Sequence, residues 1–110
     1  MKLLVVTGLK EHQKAVAAIF EKAHIKVFSV GKIVGHKDDD KVNLLDNWFA
    51  SGEEQFDSTL LFSFTEESKA IAALELIINY NQTALSDFPI RAFILPVDKS
   101  SYQDSTPKVN

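Results

Sequence analysis

The chain has 110 residues, 45% apolar and 25% charged, enough for one domain with a single core and too few for a second. With no cysteine it can hold no disulfide framework, no thiolate zinc site and no cysteine nucleophile, which removes several enzyme classes together. The net charge of −3 is uneven: between His36 and Asp57 seven acidic residues face only Lys37 and Lys41, so this segment is −5 and the remainder +2, and an acidic segment of that kind argues against a nucleic-acid partner.

Lys2 to Thr7, KLLVVT, is a β-branched and Leu-rich run bounded by Gly8 and reads as a strand with two apolar faces. Thr7, Gly8 and the charged Lys10-Glu11 end that run before a signal sequence or membrane span could form, so a cytoplasmic, soluble chain that is not itself membrane-inserted is expected. From Leu9 to about Ala23 the period changes to that of an amphipathic helix, with Val16, Ile19, Phe20 and Ala23 on its stripe. Ile25 to Val34 alternates as a second strand. Asp57 to Thr65, DSTLLFSFT, reads as a third, with Leu60, Phe62 and Phe64 on one face and Thr59, Leu61 and Ser63 on the other. Thr65 is the candidate N-cap of a second helix running to about Tyr80, with Ala70, Leu74, Ile77 and Ile78 as its stripe and Glu66 and Glu67 near its positive end. Asp87, Phe88 and Pro89 form a turn, and Ile90 to Val97 is the last strand, with Pro96 at a strand end or edge. Residues 1–99 form the domain, and 100–110 read as a polar, frayed tail.

The order β-α-β-β-α-β predicts an α+β, ferredoxin-like fold: a four-stranded antiparallel sheet with two helices on one face. Each strand also carries apolar residues for the other face. That face takes one alternate set from each strand, such as Phe28 and Val30 with Thr59 and Leu61, and parity alone does not decide which set it is. Leaving it wet would cost several kcal/mol at about 25 cal/mol per Å², so a homo-oligomer packed sheet to sheet is expected.

Between the second and third strands, residues 36–56 lose all periodicity. Loops of roughly 20 residues are uncommon inside compact domains and often carry function. This one combines the acidic run Asp38, Asp39, Asp40 with Leu44, Leu45, Trp48 and Phe49. Those four apolar residues read as hooks for a partner protein or a neighbouring subunit, since aromatic anchors dominate interface energetics. The competing reading folds them back on their own subunit.

A strand ending in SVGKIVGHK, a long loop before the third strand and a closing FILPVDKS (Phe93 to Ser100) resemble the PII signal-transduction superfamily across the first hundred residues. Gly35 stands where that family's long T-loop begins. The resemblance implies a homotrimer with its sheets around a central axis, T-loops that dock on partner proteins such as a membrane transporter, and small effectors bound in clefts between subunits. Adenine nucleotide is one effector the resemblance allows. Arg91 falls near the family's phosphate-contacting Lys, whereas residues 83–90, TALSDFPI, lack the glycines of the family's phosphate-binding B-loop. Gly35, His36 and Arg91 are therefore the candidate ligand-binding residues.

Metal is the other effector class, because His36, Asp38, Asp39 and Asp40 place one imidazole and three carboxylates in a short run, a donor set suited to a divalent ion. A solvated acidic turn is the competing reading of the same residues. His12 and His24 lack metal-motif spacing, and His24 reads as a cap at the helix C-terminus. The acid pairs Glu53-Glu54 and Glu66-Glu67 are adjacent in sequence and do not converge as an acid/base pair must, so the chain does not read as an enzyme. The leading reading is a PII-like regulator that senses a small ligand or ion and acts on a partner through residues 36–56. The alternatives are a metal-responsive trimer resembling the CutA branch, linked to metal tolerance, and a small ferredoxin-like monooxygenase or isomerase using the open sheet face as its pocket.

Overall fold

The structure, a computed structural model, describes residues 1–35 and 56–101. Its elements are β1 (Lys2–Leu9), a 3-10 turn (Lys10–His12), α1 (Gln13–Lys22), β2 (Ser29–Gly35), β3 (Phe56–Thr65), α2 (Glu67–Ala84) and β4 (Arg91–Pro96). They form one four-stranded sheet in the order β2-β3-β1-β4, with every neighbouring pair antiparallel. The α+β, ferredoxin-like βαββαβ arrangement expected from the sequence is the fold observed.

The pairing settles which alternate set faces the helices. Leu4 lies opposite Ser63 and Ile94, and Val6 opposite Leu61 and Ala92, and residues paired across antiparallel strands share a face. Leu4, Val6 and Leu61 join Val16, Ile19 and Phe20 of α1 and Ala70, Ala73 and Ile77 of α2 in one buried cluster. Phe20 is fully buried at its middle, meeting Phe28 edge to face at 5.0 Å between centroids. Ala70 and Ala73 are the reason α2 can approach closely: both are wholly buried, whereas Ile78, expected on the stripe, is 47% exposed. Thr59 and Ser63 also turn toward the helices, where Thr59 Oγ1 donates to Gln13 Oε1 (3.1 Å) and Ser63 Oγ to the Val27 carbonyl (2.7 Å). Thr59, Leu61 and Val30 therefore belong to the helix side, and Phe28 precedes β2 rather than lying in it.

The opposite face is built in rows. Phe64, Leu3 and Leu95 form one, Phe62, Val5 and Phe93 the next, and Leu60, Thr7 and Arg91 the third. Val5, in the middle row between Phe62 and Phe93, is only 9% exposed, while Phe64 remains 56% exposed. The face is thus apolar at one end and polar at the other.

Local geometry explains the element ends. At the C-terminus of α1 the Ile25 N–H reaches the Phe20 carbonyl (2.8 Å) and the His24 N–H the Glu21 carbonyl (3.0 Å), with His24 in the left-handed region at φ 62. This is a Schellman closure, and Ile25 and Phe20 both belong to the buried core cluster. His24 thus ends α1 through its backbone. The second helix runs four residues beyond Tyr80 and stops where Leu85 turns left-handed at φ 49, its N–H on the Asn81 carbonyl. Its N-cap is Glu66, one residue after the expected Thr65, with no side-chain cap bond.

Candidate effector site at one end of the sheet

Antiparallel order gathers particular junctions at one end of the sheet: the end of β1 and the 3-10 turn, the end of β2, the start of β3, and the connection from α2 into β4. Residues 36–55 leave and return there, since Gly35 pairs with Phe56. A groove of about 340 Å³ bordered by Lys10, Lys32, Ile33, Val34, Asp57 and Ser58 opens at this point. A neighbouring groove shares Lys10 and Asp57 and adds Leu9, Glu11 and Lys14.

Of the ligand-binding candidates, Gly35 and Arg91 fall within the described residues, and they do not meet. Arg91 shares a row with Thr7, Leu60 and Gly31, so Gly35 lies three strands across and four residues further along. At about 4.8 Å per strand and 3.3 Å per residue the separation is roughly 20 Å. Within one subunit the two backbones are therefore well apart. Arg91 is exposed on the face away from the helices. His36, Asp38, Asp39 and Asp40, the metal candidates, and Leu44, Leu45, Trp48 and Phe49, the partner hooks, lie outside the described residues. Among the described residues no group of three or more His, Asp or Glu side chains is arranged to hold a metal ion.

Two features at this end were not legible in the sequence. The first is a buried polar pair between the start of α1 and the end of α2: His12 Nδ1 lies 3.0 Å from the Tyr80 hydroxyl, with the rings edge to face. His12 is 8% exposed, and its Nε2 is buried without a hydrogen-bond partner among the described residues. Such an orphan costs about 1–3 kcal/mol. The second is a clamp on the connection into β4, where the Asn81 side-chain amide donates to the Ile90 carbonyl and accepts the Ile90 N–H, both at 2.9 Å. Asn81 read only as a helix-ending residue, because its partner sits nine positions on with no periodicity to mark it.

No protein-family model matches the sequence, and no curated protein matches it. Solved structures do share the fold. A putative PII-like signalling protein from Thermus thermophilus superimposes with a TM-score of 0.58 at 12% identity, over 84% of this chain and 82% of that one. A DUF3240 family protein from Shewanella baltica gives 0.57 at 15% identity, over 94% and 96%. CPII, a nitrogen regulatory PII-like protein from Thiomonas intermedia whose structure holds ADP, AMP and bicarbonate, gives 0.58 at 10% identity, over 90% and 93%. The chain therefore has the fold of PII-like proteins, as the order of its elements and the FILPVD segment led us to expect.

Proposed function

We propose that this is a divergent PII-like regulatory protein without catalytic activity: a cytoplasmic homotrimer that senses a small ligand or ion and modulates a partner, most naturally a membrane transporter, through residues 36–56. The observation that carries this reading is the likeness to PII-like signalling proteins over most of both chains, combined with a long acidic and aromatic segment inserted between β2 and β3. Effector binding between subunits agrees with the roughly 20 Å that separates Gly35 from Arg91 within one subunit. No helix among the described residues is long and apolar enough to cross a membrane, so action on a transporter would be exerted by docking.

The register supplies a clean test. Gly35 and Phe56 are directly paired, so residues 36–55 can be replaced by a two-residue Asn-Gly turn that continues the hairpin. The shortened protein should keep its circular dichroism spectrum and oligomeric mass. A partner that is retained from the host's membrane fraction by the full chain and identified by mass spectrometry should be lost. An unfolded short form would make the segment structural, and undiminished capture would move the docking surface elsewhere; either result defeats the proposal.

A further inference from the structure

We infer that the connection between α2 and β4 is a closed, self-bonded clamp held by Asn81, and that it does not cradle phosphate. This rests on the PII-like reading, in which that connection is where phosphate groups would be gripped. Backbone phosphate sites work by presenting several unpaired N–H groups to the anion, usually on glycine-rich chain that allows close approach. Residues 85–90 do the reverse. The Leu85 N–H is directed to the Asn81 carbonyl (3.3 Å), the Phe88 N–H to Ser86 Oγ (3.0 Å) and the Ile90 N–H to Asn81 Oδ1 (2.9 Å). Pro89 has no N–H to offer. That leaves the amides of Ser86 and Asp87, the second carrying a carboxylate that repels an anion.

Side chains close the site as firmly as the backbone does. Ile90 is 3% exposed and belongs to the core cluster with Leu4, Val6 and Ile77, so the chain cannot swing outward at its C-terminal end without opening the core. Leu85 occupies the left-handed position at which glycine is usual and projects 83% exposed, placing an apolar side chain at the mouth of the connection. Arg91, the cation nearest by sequence, follows Ile90 onto the face opposite the helices. Asn81 therefore positions the Ile90 backbone. Its amide makes both bonds to Ile90 and so withholds that backbone from any anion.

Amide hydrogen exchange and ADP titration of the full-length ¹⁵N-labelled protein test this directly. In the wild type the Ile90 amide should be strongly protected. Asn81→Ala, which removes two hydrogen bonds, should speed its exchange by roughly ten- to a hundredfold, while Asn81→Asp, which keeps the acceptor for the Ile90 N–H and loses the donor, should fall between. ADP at millimolar concentration should leave the amide resonances of residues 85–90 in place, whether or not resonances elsewhere move. Saturable ADP-dependent shifts at Leu85, Phe88 and Ile90, or an unprotected Ile90 amide in the wild type, would overturn the clamp. These readouts are independent of the loop replacement, so failure of the regulatory reading and failure of the clamp are separately visible.

Discussion

His12 and Tyr80 show how one polar contact can hold two helices while leaving a debt in the core. The hydroxyl of Tyr80 serves one imidazole nitrogen, and the other is buried without a partner among the described residues. Removing the hydroxyl alone should hurt more than removing the whole pair, because an unpaired buried group bears its full desolvation cost whereas two apolar replacements bear none. We expect Tyr80→Phe to lower stability by about 1–2 kcal/mol in urea denaturation, and the double variant Tyr80→Phe with His12→Leu to return to within about 1 kcal/mol of the wild type. Additive losses would show that the pair is not coupled. The contact spans 68 residues, and local spacing carries no information at that range. His12 was visible only as a histidine without metal-motif spacing.

At the level of elements, both helices end on non-glycine residues in the left-handed conformation, His24 at φ 62 and Leu85 at φ 49. That conformation costs most L-residues about 1–2 kcal/mol, and histidine tolerates it better than a bulky aliphatic side chain does. Glycine would remove the strain at the expense of greater freedom in the unfolded chain, about 0.4–1 kcal/mol. Leu85→Gly should therefore stabilise by about 0.5–1 kcal/mol and His24→Gly by less, read as shifts in the urea midpoint with an unchanged slope. The reverse order would mean that the exposed Leu85 makes a contact worth more than its strain. Element type and order were readable because β-branched and apolar strand runs give way to the 3.6-residue apolar period of the helices. Ends and register were less so. The Schellman closure at His24 contains no glycine to announce it. The long second helix hides part of its buried stripe in Ala70 and Ala73, whose small side chains are compatible with almost any position. Strand parity was undecidable in β3 because Leu60, Phe62 and Phe64 are more apolar than Thr59, Leu61 and Ser63, yet the second set faces the helices. Its two hydroxyls are accepted there because Gln13 and the Val27 carbonyl receive their hydrogens.

That inversion has its largest consequence for the whole molecule. The more apolar set of β3 lies on the face that neither α1 nor α2 covers, in rows with Leu3, Val5, Phe93 and Leu95. Within those rows Phe64 and Leu95 remain 56% and 41% exposed, an arrangement of the kind that soluble proteins cover by association. Packing sheet to sheet around a threefold axis would bury it while leaving the sheet ends that carry residues 36–55 together, as the proposed function needs. Phe64 isolates the question because so little of it is buried within its own subunit. Phe64→Glu should cost the isolated fold little, since its side chain keeps its access to water, but should place a charge inside the assembled core, where an unpaired carboxylate is strongly disfavoured. Light scattering coupled to size exclusion at micromolar concentration should give a mass near three chains for the wild type and near one for Phe64→Glu, with both far-ultraviolet spectra alike. A wild-type monomer would remove the trimer and the binding of effectors between subunits. A trimer that survives Phe64→Glu would place its interface on another surface.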